Sequence, residues 1–488
     1  MAAFKRNTCA AACACHACSR ICFAIDQIFC TMRVYGWMLD AYVVDFFQEN
    51  LWSKLPSSWQ DILDGVMPEE LGQWILEESG NKRVWPLSLL ALRVLINNIQ
   101  IPRDYKRDAA IRCFSNVRQT QKTNSKENDQ VSAKDQRFDN LFKKHVKTKK
   151  RYEIDVISKI AADCASKAGC TCVVDVGAGM GHLARVLAYR YDLKVTCVEQ
   201  NPALLEGARK WDKQLAESLG KYLSDFRERK PPHQLAVRVE ASSSARRQLA
   251  EQLTLSFGAE EFDGFGLIGL HPCGDLAATL LRFYSNEQSV KFICIVGCCY
   301  MKLTLRFVTG DVEKGYPMSQ HVTTRGGNNQ LSYAALEVAC HALEKHCDKL
   351  KTNDFYDLIV HAYRAVLEFL LVEKNPALRR RQLKNTKVKD NTEFKEYCKV
   401  ATEVLDPKDR PTDLDYERTD VKDFLKQWKR VLIFSSLRLF LAPLVETLVL
   451  FDRFLYLSEM QLSPSLKAEF DSRISPRNFV LSSVKKKK

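Results

Sequence analysis

Short apolar runs alternate with longer amphipathic segments between residues 171 and 296. The amphipathic segments have apolar residues at helical spacing, whereas the apolar runs have the length of buried strands. The five predicted strands are 172–176, 194–198, 235–239, 264–270 and 291–296. Strands that alternate with helices in this way predict an α/β fold with a doubly wound, Rossmann-like parallel sheet.

Helical patterns lie on both sides of this region. Apolar and aromatic positions from Trp37 to Phe47 recur at helical spacing, and the section after the sheet is mostly helical. A polar stretch with almost no apolar periodicity is typical of an exposed linker. We therefore predict six parts: a Cys-rich tail at 1–30 that we expect to be disordered, a helical lobe at 31–112, a polar linker at 113–140, a core at 141–305, a helical section at 306–470, and a closing strand with a lysine tail at 471–488.

The first predicted strand ends in the glycine-rich sequence D-V-G-A-G-M-G. Asp175 stands at the strand end, and Gly177, Gly179 and Gly181 follow it. Glycines here allow a sharp turn and a close approach of the backbone to a ligand. A dinucleotide-binding loop has the spacing G-x-G-x-x-G, but here the third glycine comes one position earlier. The form D-x-G-x-G-x-G is the one seen in S-adenosylmethionine methyltransferases.

The second predicted strand ends in an acidic residue, Glu199. A carboxylate can accept two hydrogen bonds from the ribose hydroxyls of an adenosine. A glycine loop after the first strand and an acid after the second predict S-adenosylmethionine as the cofactor. We assign its binding to five residues: Asp175, Gly177, Gly179, Gly181 and Glu199.

Reactive side chains collect where the fourth and fifth predicted strands end. Ligands bind at the carboxyl edge of an open α/β sheet, so we expect these side chains to meet there. The candidate catalytic residues are His271, Cys273, Asp275, Cys298 and Tyr300, with Cys299 beside them. Three interpretations stay open: cysteines that merely pack, a zinc site, or a nucleophilic Cys273 that attacks a pyrimidine ring. We assign no metal ligand.

The chain carries a formal charge of +14, which favours a polyanionic partner. Two basic runs, Lys143–Arg151 and Arg379–Lys389, lie on either side of the core in sequence. They are candidate contacts for RNA, although such runs are also common on plain solvated surfaces.

Six of the 18 cysteines lie in the first 30 residues. Cys15 and Cys18 have zinc-like spacing and could be joined by His16 or Cys22, but no second well-spaced pair follows. The N-terminus lacks the apolar core of a secretory signal, so we expect an intracellular, reducing compartment, cytoplasmic or nuclear. The apolar segment 431–457 contains charged residues, and we predict a buried helix pair there and no membrane span.

Several motifs resemble those of the methyltransferase-like protein 25 family, which includes proteins named ribosomal RNA adenine dimethylase domain-containing. They include V-V-D-V-G-A-G-M-G-H-L (173–183), L-H-P-C-G-D-L (270–276), V-G-C-C-Y-M-K-L (296–303), Y-P-M-S (316–319), L-A-P-L-V-E-T-L-V-L-F-D-R-F-L-Y-L (441–457) and S-P-R-N-F-V-L (475–481). The resemblance spans residues from about 31 to the end. It implies a class I methyltransferase domain and leaves the substrate open.

We therefore expect an S-adenosylmethionine-dependent methyltransferase that acts on RNA. Two alternatives stay open at this point. The acceptor could be a protein, or the fold could serve as a binding scaffold without catalysis.

Overall fold

The computed structural model describes residues 13–77, 83–107, 109–113, 142, 146–222, 229–258, 262–305, 314–325, 331–352, 356–386 and 392–485. The chain divides into two compact units. The first unit, which we call the sheet unit, comprises residues 1–27, 102–330 and 447–488. The second, the helical unit, comprises residues 28–101 and 331–446.

One eight-stranded sheet organises the sheet unit. Its strands are β1 (Ile111–Arg112), β2 (Cys172–Val176), β3 (Lys194–Glu199), β4 (His233–Ala236), β5 (Phe265–Cys273), β6 (Val290–Cys298), β7 (Pro464–Ala468) and β8 (Phe479–Val484). Their spatial order is β1-β7-β8-β6-β5-β2-β3-β4. The five strands from β6 to β4 are parallel, and β8, β7 and β1 continue the sheet in antiparallel pairing.

The chain reverses its direction of travel across the sheet between β2 and β5. From β2 the chain continues to β3 and β4 on one side, and then returns to β5 and β6 on the other. In open α/β sheets, such a switch point leaves a crevice at the carboxyl ends of the strands, where ligands bind. The fold prediction is confirmed, and the bounds of β2 are those read from the sequence.

Among the residues of the sheet unit that the structure describes, six α-helices lie wholly within the unit. They are Thr148–Ala168, His182–Tyr191, Pro202–Tyr222, Ser243–Phe257, Asp275–Asn286 and Gln320–Arg325. Helix Pro202–Tyr222 has its apolar residues Leu205, Ala208, Leu215 and Leu219 buried. These positions are separated by three, seven and four residues, which places them on one face of the helix.

The helical unit contains ten complete helices in its described residues. They are Ser57–Leu63, Pro68–Ile75, Leu87–Ile99, Tyr333–Val338, Leu343–Lys351, Tyr356–Lys374, Phe394–Ala401, Asp413–Glu417, Thr419–Lys426 and Trp428–Phe440. Two further helices, His16–Asp40 and Ala442–Glu459, each contain one of the boundaries between the units. One cluster of the helical unit's core comprises twelve buried residues from Val366 to Val421.

Part of the second basic run is committed to ion pairs within the helical unit. Arg379 Nε lies 3.2 Å from Oδ1 of the fully buried Asp45, and Arg380 also pairs with Asp45. The guanidinium of Arg380 lies 4.0 Å from the ring centre of Tyr42, so it stacks as well as pairs. Lys387 and Lys389 lie outside the described residues, as do Lys143 and Lys144 of the first run.

The interpretation of residues 1–30 as a disordered tail was wrong for the part that the structure describes. A helix begins at His16 and continues to Asp40. Cys18, Ile21, Ile25 and Ile28 are all buried, and their spacing of three or four residues forms an apolar stripe. The cysteine and alanine content, which suggested low complexity, conceals this stripe because a thiol packs as a small hydrophobe.

The segment Trp428–Glu459 is long and apolar enough to cross a membrane by length and composition alone. However, 94% of its most apolar window is buried inside the protein. It consists of the two helices Trp428–Phe440 and Ala442–Glu459, as the sequence predicted.

Candidate cofactor and acceptor site

The glycine loop after β2 turns through three glycines with positive φ angles. These angles are 72° at Gly177, 57° at Gly179 and 69° at Gly181, all in the left-handed region that favours glycine. The amide of Gly177 donates to the carbonyl oxygen of Val198 in β3 at 2.8 Å, which fixes the start of the loop. Helix His182–Tyr191 begins directly after Gly181. Backbone amides at such a start suit an electron-rich ligand.

Glu199 closes the loop from the end of β3. Its Oε2 accepts a hydrogen bond from the Gly179 amide at 3.0 Å, and its Oε1 accepts one from Asn201 at 3.0 Å. A carboxylate oxygen has two acceptor sites, so each of these oxygens can still bind a hydroxyl of a ribose. A Cβ added to Gly179 would meet no described atom within 4 Å. The loop therefore faces open space beside a carboxylate, and this arrangement fits an adenosine-containing cofactor.

A buried arginine supports the loop from behind. Arg185 donates to the carbonyl oxygen of Met180 at 2.6 Å and to Oδ1 of Asp212 at 2.7 Å. The other oxygen of Asp212 accepts from Gln234 at 2.8 Å. Arg185 is fully buried and Asp212 nearly so, and the packing around them therefore fixes the positions of both side chains. Sequence reasoning missed this network, since nothing in the local pattern links these positions.

Asp175 is the buried member of the predicted cofactor set. Burial raises its pKa to about 7, Lys150 acts in the opposite direction, and Glu199 adds to the increase. Lys150, which we had placed in an RNA-binding run, is exposed along its side chain but close enough to Asp175 to interact electrostatically. The edge of the sheet therefore holds a carboxyl group that changes its charge near neutral pH.

The two clusters of reactive residues predicted at the ends of β5 and β6 lie together. Cys273 pairs with Cys298 in the register of the two strands. A Cβ added to Gly177 would lie 3.8 Å from Cδ2 of Leu276, which follows this edge by three residues. The glycine loop and the β5 end therefore belong to one site.

Three thiols form the centre of the β5–β6 edge. Cys273 Sγ lies 3.3 Å from Cys298 Sγ and 3.3 Å from Cys299 Sγ. Hydrogen bonding from Cys298 lowers the pKa of Cys273 to about 5. Burial opposes this decrease, whereas Cys299, Lys302 and His271 add to it. Cys273 is exposed, so its sulfur is accessible from solvent, and its lowered pKa favours the thiolate form.

His271 is held beside the thiols in a strained backbone conformation. Its φ is 67°, and it lies where the β5–β6 register shifts between Leu270 and Cys273. Its Nε2 is 3.2 Å from Oε1 of the buried Glu153, which also accepts a 2.6 Å hydrogen bond from Ser475. Burial alone would raise the pKa of Glu153, but His271 and Ser475 together lower it. Glu153 thus orients His271, and sequence reasoning did not find it.

Asp275 and Tyr300 serve the framework of the site in this structure. Oδ1 of Asp275 accepts a 2.8 Å hydrogen bond from the Thr304 amide, and Oδ2 accepts from the Thr304 hydroxyl. Tyr300 is only 1% exposed, and Arg453 lies 5.9 Å from its ring centre. The structure brings both residues to the predicted edge, but their catalytic roles stay predictions.

Motifs that are far apart in the sequence contact one another next to the three thiols. Both oxygens of the buried Asp452 accept hydrogen bonds of 2.8 Å, from the amides of Met318 and Ser319. A Cβ added to Gly297 would lie 2.5 Å from Nη1 of the neighbouring Arg453. The Y-P-M-S motif, the V-G-C-C-Y motif and the F-D-R-F part of the late apolar motif therefore form one structural unit.

Comparison with known proteins agrees with this geometry. A family model described as "Methyltransferase domain" matches residues 144–306. Residues 144–306 are therefore similar to known methyltransferase domains. The match also supports S-adenosylmethionine as the cofactor of this domain.

Two curated relatives match a larger part of the chain. The Mus musculus protein named probable methyltransferase-like protein 25 is 27% identical over 46% of this chain and 38% of its own length. The Homo sapiens protein of the same name is 28% identical over 45% of this chain and 37% of its own length. The match therefore spans less than two-fifths of either relative. These similarities agree with the family resemblance seen in the motifs.

A solved structure, that of the plantazolicin methyltransferase BpumL in complex with SAH, also shows similarity. It is 10% identical, with a TM-score of 0.21, and the comparison covers 60% of this chain and 86% of that one.

Proposed function

We propose that this protein transfers a methyl group from S-adenosylmethionine to RNA. The glycine loop with Glu199 and the exposed Cys273 lie at one edge of the sheet, and this observation carries the proposal. The first group fits the cofactor, and the second leaves a reactive surface for an acceptor. The methyltransferase-domain match supports the type of reaction.

The residues of the site contribute mainly by placement. The Gly177–Gly181 backbone and Glu199 would hold the cofactor, whose sulfonium would supply an electrophilic methyl group. The acceptor approaches from the edge formed by Cys273 and Lys302. Fixing the two reactants in line can supply much of the rate enhancement, since it removes the entropic cost of a chance encounter.

Charge at this edge favours a polyanionic acceptor. Lys302 is exposed and acts on Cys273, while Lys150 is exposed and acts on Asp175. Lysines at these positions can contact phosphates. Arg379 and Arg380 contribute less than the sequence suggested, because Asp45 pairs with both. An intracellular location follows from this proposal, because RNA is available there and the thiols stay reduced.

Two chemical roles fit the thiolate of Cys273. As a nucleophile it would add to C6 of a pyrimidine ring, so that C5 takes the methyl group. Transfer of the C5 proton to a base and elimination of the thiolate would then restore the ring and the free cysteine. As a metal ligand it would act with Cys298 and Cys299, since the sulfurs of all three lie within 4.8 Å of one another. Zinc content and the reactivity of Cys273 distinguish these roles.

The decisive experiment measures transfer of a radiolabelled methyl group from S-adenosylmethionine. Total RNA and total protein are offered separately to the full-length chain, with Gly179→Arg as the control that lacks cofactor binding. We expect label in RNA with the wild type alone. Label in protein, or S-adenosylhomocysteine binding without transfer to either pool, would contradict the RNA proposal.

A second experiment tests the contact with phosphates at the edge. We expect Lys302→Glu to weaken RNA binding several-fold at low salt. The slope of log affinity against log salt concentration should also decrease, by the amount that corresponds to about one phosphate contact. Lys399→Glu, which changes an exposed lysine of the helical unit, is the matched control. Equal loss of affinity in both variants would show that net charge alone drives binding.

A further inference from the structure

A second group of cysteines lies far in sequence from the three thiols of the β5–β6 edge. Cys13 and Cys15 precede helix His16–Asp40, and Cys18 lies in its first turn. Cys113 directly follows β1, and its amide donates to the carbonyl oxygen of Pro464 in β7 at 3.0 Å. The fold brings these four residues together, although Cys113 stands 95 residues after Cys18.

The three sulfur–sulfur distances from Cys113 match the edges of a tetrahedron around one metal ion. Cys113 Sγ lies 3.7 Å from Cys13 Sγ, 3.8 Å from Cys15 Sγ and 3.7 Å from Cys18 Sγ. All four sulfurs lie within 4.8 Å of one another. A tetrahedron with zinc–sulfur bonds of about 2.3 Å has edges of about 3.8 Å.

The same distances argue against other uses of four thiols. A disulfide needs two sulfurs at about 2.05 Å, and the described cysteines form none. An iron–sulfur cluster distributes its thiolate ligands over several iron atoms and therefore holds them farther apart. A group in which each sulfur is close to every other suits a single ion.

The surroundings of the four sulfurs also suit a buried, charged centre. Cys18 is 0% exposed and Cys113 is 3% exposed. The Ser458 hydroxyl lies 3.1 Å from Cys18 Sγ and 3.3 Å from Cys113 Sγ, where it can donate to a thiolate ligand. The positive end of helix His16–Asp40 favours negative charge on the cysteines that begin it.

Without a cation, these thiols oppose one another's ionisation. The hydrogen bond with Cys113, followed by burial, raises the pKa of Cys18, and burial raises that of Cys13. A divalent ion reverses this preference because it binds the deprotonated sulfur.

We propose that Cys13, Cys15, Cys18 and Cys113 bind one structural Zn²⁺ ion. Four protein ligands complete the tetrahedron, so the ion has no open position for a substrate and acts as a cross-link. It ties the start of the first helix to the edge strand β1 and, through Cys113, to β7. The proposal is independent of the methyl acceptor.

The test is metal analysis of the purified full-length chain. Elemental analysis should find zinc, and Cys18→Ser should lose one equivalent of it. Cys30→Ser is the matched control, because Cys30 is an exposed cysteine on the same helix and outside the cluster. Cys273→Ser is a second control, for zinc bound at the β5–β6 edge. This variant should lose only zinc held by Cys273, Cys298 and Cys299 and should keep the equivalent bound by the N-terminal cysteines.

A second measurement keeps the proposal testable if Cys18→Ser fails to fold. Cobalt exchanged into the wild-type chain should give the intense visible absorption of a tetrahedral tetrathiolate, and the partly exposed Cys15→Ser should weaken it. Iron in place of zinc, no metal at all, or metal that is lost in Cys273→Ser and retained in Cys15→Ser would each overturn the proposal.

Discussion

The two sides of the ligand-binding edge are built in different ways. The cofactor side, which we define as the Gly177–Gly181 loop with Glu199, is made mostly of backbone and contacts within 20 residues. The acceptor side, which we define as His271–Asp275 and Cys298–Tyr300, is held by side chains from distant parts of the chain. Glu153 reaches His271, and Arg453 lies against Tyr300. A ligand-binding loop built from local backbone contacts produces a recognisable sequence motif, whereas a site built by tertiary contacts does not.

This difference predicts how substitutions separate binding from turnover. Changes on the cofactor side should remove affinity for the cofactor and its product. Changes on the acceptor side should reduce methyl transfer and leave that affinity intact. The following predictions test this separation in order of expected effect.

Gly179→Arg should produce the largest loss. The backbone at Gly179 has a φ of 57°, which an arginine adopts only with strain, and the new side chain would occupy the space in front of Glu199. We expect S-adenosylhomocysteine affinity to fall at least ~100-fold, or about 2.7 kcal/mol. Isothermal titration calorimetry measures it directly.

The matched control for this change is Gly258→Arg. Gly258 also has a positive φ, 85°, and a Cβ there would meet no described atom within 4 Å. It ends helix Ser243–Phe257, away from the glycine loop in sequence. If both variants keep wild-type affinity, the cofactor side is assigned to the wrong loop.

Cys273→Ser should remove turnover and preserve cofactor affinity. A serine hydroxyl does not ionise at neutral pH, so neither a nucleophile nor a thiolate ligand survives the change. We expect methyl transfer to RNA to fall about 100-fold or more, in line with the loss of a group that acts directly in the reaction. Product affinity in the same preparation should match that of the wild type.

The pH dependence of thiol alkylation distinguishes the two roles of Cys273. Its pKa of about 5 predicts that alkylation is already near its maximum at neutral pH and falls only as the pH drops through 5. An ordinary exposed cysteine instead reacts progressively up to about pH 8.5. Protection of Cys273 at pH 7 that ends when zinc is removed would identify a metal ligand and exclude the nucleophile.

Glu199→Gln should cause an intermediate loss. The amide has one oxygen where the carboxylate has two, so it cannot accept from both Gly179 and Asn201 and also from a ribose diol. We expect product affinity to fall about tenfold, near 1.4 kcal/mol. Calorimetry with adenosine as well as S-adenosylhomocysteine would show whether the loss concerns the nucleoside. An unchanged adenosine affinity would contradict a ribose contact.

The same contrast explains what the sequence predicted. The bounds of β2 and the position of Glu199 at the end of β3 were correct, because apolar runs and glycine spacing are local signals. Strands β1 and β7 were not predicted, since Ile111–Arg112 has only two residues and Pro464–Ala468 is placed by its pairing with β1 and β8. Strands this short have too few residues to show a period.

The ion-pair partners of charged residues could not be predicted from the sequence, for a related reason. Arg379 and Arg380 form a basic run in the sequence, yet both pair with Asp45 and Glu49, which lie more than 320 positions earlier. Glu153 showed no functional signal, because it stands in an ordinary amphipathic helix and meets His271 only in the folded chain. The tertiary structure determines which charged groups pair with one another, so composition alone cannot predict the pairs.

The smallest predicted effect concerns the pH dependence of cofactor binding through Asp175. Burial raises the pKa of this carboxyl to about 7, above the value of about 3.9 in an unfolded chain. Its ionisation therefore destabilises the folded, ligand-free state as the pH rises from about 4 to about 7, and the loss is complete above pH 7. A ligand with a positively charged amino group favours the carboxylate, so S-adenosylhomocysteine affinity should increase several-fold between pH 6 and pH 8.

Asp175→Asn should remove this pH dependence, because the amide does not titrate. A wild-type affinity that is constant over this range would show that ionisation of Asp175 is not coupled to ligand binding. The same conclusion would follow if affinity changed with pH equally in Asp175→Asn. Calorimetry in two buffers of different ionisation enthalpy supplies a further check, because binding at pH 7 should release a proton in the wild type alone. Proton release in both proteins would assign the titrating group to another residue of the edge, with Lys150 the first to examine.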